Sequence, residues 1–457
     1  MIKVHARLAS GRARSRLHRD ILAAIDKAIW AAQPANIIPK HVMLEGEALR
    51  ADGLSFPLKK YRRILVIGGG KASGYMGEEI EKILGKRISD GLVIVPDYLK
   101  PRPGDRRIDY RPSTHPEPSL KGMHAVLSML DLVKNVSPSD LVIVLLSGGG
   151  SALMPLPLEG ISLQDEQRLT SLLLKSGANI QEINTVRKHL SRVKGGRLAN
   201  RLFPATVLTL IMSDVVRDKL DAIASGPTAP DHTTYQDAQT VLKKYNVWTK
   251  VPETIRKIIK DGVNGSLADT PKKGDKVFRH VHNLIVGNNK ESCTAASLAM
   301  RKVGYNTQVL STRITGEARE VGGILGSILT DIRDNGLSLS PPAALVAGGE
   351  TTVTVKGNGK GGRNQELALA AALGISGSKD VVIGSIATDG IDGPTEAAGA
   401  IADGTTVARG LKLGMDPDKY LGNNDSYHYF LKLRDLMTTG PTGTNVNDIM
   451  ILAAAIT

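Results

Sequence analysis

The chain is poor in several things at once. Aromatic residues make up 4% of its 457 residues, with 4 Phe, 2 Trp and 10 Tyr, so Leu, Ile, Val and Ala must fill its cores. Its 1 cysteine, Cys293, excludes an intrachain disulfide and fits a reducing compartment. Within the Ala-rich stretch "KESCTAASLAM" it reads as a small packed residue. Long apolar runs are missing too: "LVIVLL" (141–146) and "LALAAALGI" (367–375) are far too short to span a bilayer. No apolar segment follows the basic N-terminus, which speaks against a secretory signal. We expect a cytoplasmic protein with no membrane partner. The first nineteen residues carry Lys3, Arg7, Arg12, Arg14, Arg16 and Arg19 and no acid. That charge resembles a transit peptide, but a basic lead into the helix "HRDILAAIDKAIWAA" accounts for it. Interleaved aromatics and zinc-finger or RNP-like motifs are absent, so the net charge of +14 does not point to nucleic acid. The basic residues are spread along the chain and suit a basic enzyme surface or an anionic small substrate.

What the chain does have is length, apolar runs and glycine. A chain of 457 residues favours two domains over one. Short β-rich runs alternate with helical patterns nearly throughout. They are "RILVI" (63–67), "GLVIV" (91–95), "DLVIVLL" (140–146), "TVLTLIM" (206–212), "NLIVG" (283–287), "TQVLS" (307–311), "ALVAG" (344–348), "TTVTV" (351–355), "VVIGSIAT" (381–388) and "IMILAAA" (449–455). Continuous rather than alternating apolar runs indicate strands covered on both faces, hence an α/β fold of parallel or mixed sheets. From about 229 to 280 the chain is polar and Lys-rich with no strong strand. A boundary there divides it into domains 1–277 and 278–457, with the last strand free to rejoin the first domain. Two α/β domains invite a ligand cleft between them.

The 48 glycines cluster where apolar strands end. "GGGKAS" places Gly69, Gly70 and Lys71 after the first such run. "LLSGGGSALM" places Ser147, Gly148, Gly149, Gly150 and Ser151 after another. "LVAGGETTVTV…GKGGRNQELAL" brings Glu350 and then Arg363 opening a helix, and "ATDGIDGPTEAAGA" brings Asp389 and Asp392. Glycines let backbone amides approach an anion, and a following helix start adds positive partial charge. Singly, each is a tight turn; their recurrence at strand ends points to phosphate handling. The familiar fingerprints nevertheless fail. G-x-G-x-x-G begun at Gly68 meets Ser73, and a P-loop would need Ser or Thr where Ala72 stands and glycine where Leu65 stands.

Two further segments add charge. In "EINTVRKHLSRVKGGRLA" (182–199) Asn184 precedes Arg187, and Arg187 and Lys194 suit a carboxylate or phosphate. In "TLIMSDVVRD" Asp214 lies just past a buried strand, placed as a metal ligand or as a base for a substrate hydroxyl. His115, flanked by proline, reads as structural.

At these residues the chain resembles the class II glycerate 2-kinases, whose C-terminal region is called the MOFRL domain. The resemblance rests on "GGGKAS" (68–73), "LLSGGGSALMPLP" (145–157), "INTVRKHLSRVKGGRLA" (183–199), "SDV" with "IASGPT", "GGET" (348–351), "GGRNQELAL" (361–369), "ATDGIDGPTEAAGA" (387–400) and "TGTNVNDI" (442–449). It implies a Rossmann-like N-terminal α/β/α sandwich, a smaller C-terminal α/β domain and an active site in the cleft between them. It further implies transfer of the ATP γ-phosphoryl to the 2-hydroxyl of D-glycerate with Mg²⁺. Lys71 and Arg363 take the family's key lysine and arginine positions, with Asp214 as the third catalytic candidate. Gly69, Gly70, Ser147–Ser151, Asn184, Arg187 and Lys194 are expected to bind substrate and phosphate. Glu350, Asn364 and Glu366 are expected at the nucleotide, and Asp389 and Asp392 at the metal. A homodimer is allowed. "SDVVRD" carries Arg217 where the family usually has glycine, so Asp214 ranks above Asp218. The alternative reading is an NAD(P)H-dependent hydroxypyruvate reductase, whose dinucleotide fingerprint is broken at Ser73 although Asp97 lies in a tolerable position.

Overall fold

The computed structural model describes residues 15–99, 106–336 and 339–455. The transit-like charges at Lys3, Arg7, Arg12 and Arg14 lie outside the described residues. Two compact units are formed: Ile37–Val286 makes one, and the chain up to Asn36 joins Gly287 onward to make the other.

The unit Ile37–Val286 opens on a small antiparallel meander, β1 (Val42–Glu45), β2 (Ala48–Ala51) and β3 (Leu54–Pro57). Its main sheet contains β4 (Arg63–Gly69), β5 (Asp90–Pro96), β6 (Asp109–Ser113), β7 (Asp140–Ser147), β8 (Thr206–Met212) and β9 (Val281–Gly287), in the order β6-β5-β4-β7-β8-β9. The pairs β6–β5, β5–β4, β4–β7 and β7–β8 are parallel. Counted within the sheet this is the order 3-2-1-4-5-6 of dinucleotide-binding folds, whose ligands lie outside the carboxyl ends where the strand order reverses. Here that point falls between β4 and β7. Val142, Val144 and Leu146 of β7 share a core with Leu65 and Ile67 of β4, while Leu141, Ile143 and Leu145 are buried on the other face. That double cover is why β7 reads as an unbroken apolar run.

The polar stretch taken for a boundary does not separate domains. It holds the helices Tyr235–Lys244 and Glu253–Val263, which pack with Leu163–Lys175 and Ile180–His189 around Leu169, Leu173, Val186, Tyr235, Leu242 and Ile255. Three of these helices start with capping boxes, Ser162 with Asp165, Asn179 with Glu182 and Thr234 with Asp237, each supplying the orphan first-turn amides with partners. The chain leaves this unit only after β9 has extended the first sheet, so "NLIVG" closes one unit rather than opening the next.

The other unit is built on a mixed sheet of β10 (Asn306–Glu317), β11 (Ala343–Thr352), β12 (Val381–Ala387), β13 (Gly399–Asp403), β14 (Leu436–Met437) and β15 (Asp448–Ala454), ordered β10-β11-β15-β12-β13-β14. β10 and β11 are parallel and the remaining neighbours antiparallel. "ALVAG" and "TTVTV", read as two strands, are not separate: the single strand β11 contains the first whole and ends at Thr352 in the second. β15 sits at the sheet's centre rather than back in the first domain, and its alternation shows why. Met450, Leu452 and Ala454 meet Leu325, Leu329 and Leu367 from the helices Ala318–Asn335 and Arg363–Gly374. Ile449, Ile451 and Ala453 meet Ile21, Ile25, Ala296 and Met300 from Arg16–Ala31 and Asn289–Lys302. The first helix therefore belongs to this unit and not, as expected from a domain 1–277, to Ile37–Val286. Its Leu17, Ile21, Ile25 and Ile29 recur at a spacing that lines one helix face, and each contributes about 1.5–3 kcal/mol on burial. No helix among the described residues is long and apolar enough to cross a membrane.

Candidate active site

In the unit Ile37–Val286 two glycine loops meet at the reversal point of the sheet. The β4–β7 register pairs Gly69 with Leu146, so Gly70 lies beside Ser147. The Lys71 amide donates to the Gly148 carbonyl at 2.8 Å. The Ala72 amide donates to Ser147 Oγ at 2.9 Å, and Ser147 Oγ lies 3.1 Å from Ser73 Oγ. Gly70 has φ 151, and a Cβ there would run into Ser147, so no other residue lets the loops close this tightly. Ser73, where the dinucleotide pattern wants glycine, is thus the tie between the loops. Gly149 has φ 77, and a Cβ on it would come within 3.1 Å of Lys71 Cγ and 3.0 Å of the His115 ring. Lys71, His115 and Gly148–Gly150 form one cluster. Ser147 is buried and serves the backbone; Gly69 and Gly70 bring the chain close without contributing side chains.

A third loop completes this cluster. Ala224, Ser225 and Gly226 stand consecutively at φ 50, 61 and 62, a conformation that costs non-glycine residues about 1–2 kcal/mol each. Such strain persists only where surroundings impose it. Here Gly195 and Gly196 donate to the Ser225 and Gly226 carbonyls at 2.9 and 2.7 Å. Ser225 Oγ is held 2.9 Å from Ser151 Oγ and donates to Asn184 Oδ1 at 3.3 Å. Ser225 was missed in the sequence; the glycine of "IASGPT" was its only signal. Lys194 is buried and donates to Glu166 Oε1 at 3.4 Å. Burial pulls its ammonium down and Glu166 pushes it back up. Burial likewise lowers the half-buried Arg187, against Glu166. The adjacent Lys188 is engaged by Asp231 at 3.1 Å and Asp221 at 3.3 Å. Asp214 lies two residues past the end of β8, partly exposed. Arg217 has φ 73 and Asp218 φ 53. The glycine expected at 217 is thus a conformational requirement, met here by an arginine.

In the second unit the register places Gly349 of β11 and Ala387 of β12 on either side of Asp448. The residues that follow those strands gather at this end. Arg363 donates from Nε and Nη2 to Asp448 Oδ2 and Oδ1 at 2.6 and 2.9 Å, and its Nη1 lies 3.0 Å from Glu350. Asp448 is fully buried; burial raises its carboxyl and Arg363 draws it back. Asp392 accepts from the Asn364 and Gln365 amides at 3.1 and 3.0 Å and from their side chains at 3.2 and 2.9 Å. It therefore caps the helix Arg363–Gly374, and its buried carboxyl is pushed up to about 6. Asn364 accepts in turn from Ser385 at 2.7 Å. Glu366 is buried between Arg319 at 2.7 Å and Asn424 at 3.1 Å. Asp392, Asn364 and Glu366, read as ligand-binding, have their polar atoms committed inside the unit, because Asn364 and Glu366 stand in the first turn of a buried helix and Asp392, from the loop after β12, caps it. Asp389 sits partly exposed in the turn, accepting the Ile391 amide at 3.1 Å. Among the described residues no group of three or more His, Cys, Asp or Glu is placed to hold a metal ion.

The chain matches known families along both units. Residues 20–260 match the model "Domain of unknown function (DUF4147)" and residues 343–448 match "MOFRL family". It is 45% identical to a D-glycerate 2-kinase of Thermotoga maritima over 402 residues, covering 88% of this chain and 93% of that protein. It is 42% identical to a glycerate 2-kinase of Pyrococcus horikoshii over 432 residues, covering 94% and 96%. A crystal structure of glycerate kinase from Thermotoga maritima superimposes with a TM-score of 0.83 at 42% identity, covering 96% of this chain and 99% of that one. With its doubly wound sheet, its paired glycine loops and these relatives, the chain belongs to the MOFRL family of glycerate 2-kinases.

Proposed function

We propose that the protein transfers the γ-phosphoryl of ATP to the 2-hydroxyl of D-glycerate, giving 2-phosphoglycerate and ADP. The observation that carries the reading is Lys71, whose amide is tied to Gly148 and whose stem lies against Gly149 at the reversal point of the sheet. A cation there lies against the glycine loop Gly148–Gly150, a backbone of the kind that cradles phosphate. Phosphoryl transfer asks for positioning and charge neutralisation more than covalent chemistry. Lys71 is assigned to the migrating group, and Arg363 is kept as the second catalytic candidate. The Asp214 carboxylate accepts the proton leaving the 2-hydroxyl, while Ser151, Asn184, Arg187 and Lys194 hold the acid. Glu350, beside Arg363, is retained as the nucleotide contact.

Mg²⁺ supplies neutralisation of the nucleotide phosphates when bound. It keeps waters and takes one or two protein carboxylates together with phosphate oxygens, so a partly exposed turn carboxylate suffices. Asp389 fits that description and Asp392 does not. A reducing, cytoplasmic setting accords with Cys293, whose buried thiol is pushed up to about 12.

The test uses two assays on the purified chain. ADP release with D-glycerate and Mg-ATP is expected, and NADH consumption with hydroxypyruvate is not. Reduction without ADP would replace the kinase with the reductase.

A further inference from the structure

Two of the proposed acid-binding residues, Arg187 and Lys194, form a cluster of three charges with Glu166, in which Lys194 and Glu166 are buried and Arg187 is half-buried. Glu166, on the helix Leu163–Lys175, is 3% exposed, and Lys194 is 1% exposed. Their contact is long, 3.4 Å from Nζ to Oε1, and the second Glu166 oxygen is buried with no partner among the described residues. The side chain of Arg187, one turn after Asn184 on the helix Ile180–His189, makes no hydrogen bond to any described residue, and its Nε is buried without a partner. Both cations interact with Glu166 and Lys194 is repelled by Arg187. Lys188 is taken by Asp221 and Asp231. Buried ions left unpaired are costly, so an open guanidinium beside a half-satisfied carboxylate marks a place completed by ligand.

We propose that Glu166 is a positioning residue for the acid-binding subsite, placing Lys194 and Arg187 so that the cluster accepts one carboxylate of a 2-hydroxy acid. Two cations and one carboxylate leave a single positive charge. That balance matches a monoanion and disfavours a dianionic phosphate. Glu166 reaches the acid only through the two cations. Without it, the lysine faces Arg187 and burial alone and gives up its proton at lower pH.

The inference rests on the glycerate 2-kinase reading, and the experiment keeps the two apart. Wild-type ADP release with D-glycerate tests the reading. With that in hand, kcat/KM for glycerate is followed against pH in wild type, Glu166→Gln and Glu166→Asp. Glu166→Gln is expected to raise the KM for glycerate about 10- to 100-fold, with kcat changed far less. It should also move the basic limb of the profile toward acid. Glu166→Asp, which keeps the charge, restores the limb. A Glu166→Gln enzyme with the wild-type KM and limb overturns the proposal, since a merely structural carboxylate would not move that limb. If Glu166→Gln does not fold, calorimetry on the wild-type enzyme decides. D-glycerate is expected to bind at least about 10-fold more tightly than inorganic phosphate at pH 8, and tighter phosphate binding overturns the proposal.

Discussion

At the scale of single residues the proposed chemistry rests on side chains whose neighbours leave them few alternatives. Lys71 begins as an amide pinned to Gly148, so its side chain starts from a fixed point over the loop after β7. Arg363 is held by two parallel bonds to a buried carboxylate. Such a fork restricts its remaining donors to one direction. Lys71→Ala and Arg363→Ala are each expected to lower kcat about 100- to 1,000-fold, by loss of transition-state charge stabilisation. The KM for glycerate should change only a few-fold. Steady-state kinetics of the two variants measure this, and near-normal turnover in either removes that residue from the mechanism. Arg217 makes a different point. Its φ of 73 shows that a loop keeps its shape when the residue best suited to that shape is gone.

At the scale of elements, ion pairs at strand ends fix the register that brings the loops together. Arg63 and Asp140 are register partners at the starts of β4 and β7, joined at 3.0 and 2.8 Å, while Asp140 also accepts from the Ser137 amide and hydroxyl. The Arg63 hydrogen bond holds the buried Asp140 carboxyl down at about 2. A depression of that size corresponds to about 2 kcal/mol of stability. Because the folded value is lowered, this stability is present above the ordinary carboxylate range and is lost as pH falls toward 2. Denaturant titrations of wild type and Asp140→Asn are therefore expected to differ by about 2 kcal/mol at pH 6 and to converge near pH 2. A gap that does not change with pH would assign the effect to packing. The start of β15 plays the corresponding part in the second unit. Asp448→Asn keeps the shape but loses the charge, and Arg363 loses its fork. Turnover should fall on the order of 10- to 100-fold with the KM for glycerate held within about twofold, and a reversed pattern would place Asp448 in acid binding instead.

At the scale of the whole molecule the two units carry separate cores, each with its own sheet. The residues proposed to bind the acid, Ser151, Asn184, Arg187 and Lys194, all belong to Ile37–Val286. D-glycerate alone is therefore expected to slow amide exchange in the segments 147–151, 184–196 and 223–226. At 100 times Kd the protection should approach about 2.7 kcal/mol. Hydrogen exchange by mass spectrometry resolves these segments, and protection confined to 343–455 would move the acid subsite to the other unit.

The sequence determined by itself the α/β class, most of the strands and the four glycine-bearing turns. Those features are local: an apolar run long enough for one strand, and a glycine where backbone must pass backbone. It also singled out Lys71 and Arg363, because a cation after a strand-end glycine loop is unusual enough to notice. Tertiary structure alone decided which helix and strand belong to which unit. Arg16–Ala31 and β15 are distant in the chain, yet both bury apolar faces in one core, and pairing at that range leaves no local mark. Structure also decided which polar residues face inward. Asp392, Asn364 and Glu366 look like ligand contacts when read in line, and become caps and ties because the helix they open is enclosed. Glu166 could be found only in three dimensions, and Ser225 and Asp448, though they lie within "IASGPT" and "TGTNVNDI", show their partners only there, since a carboxylate or hydroxyl acquires its role from the groups that folding sets beside it.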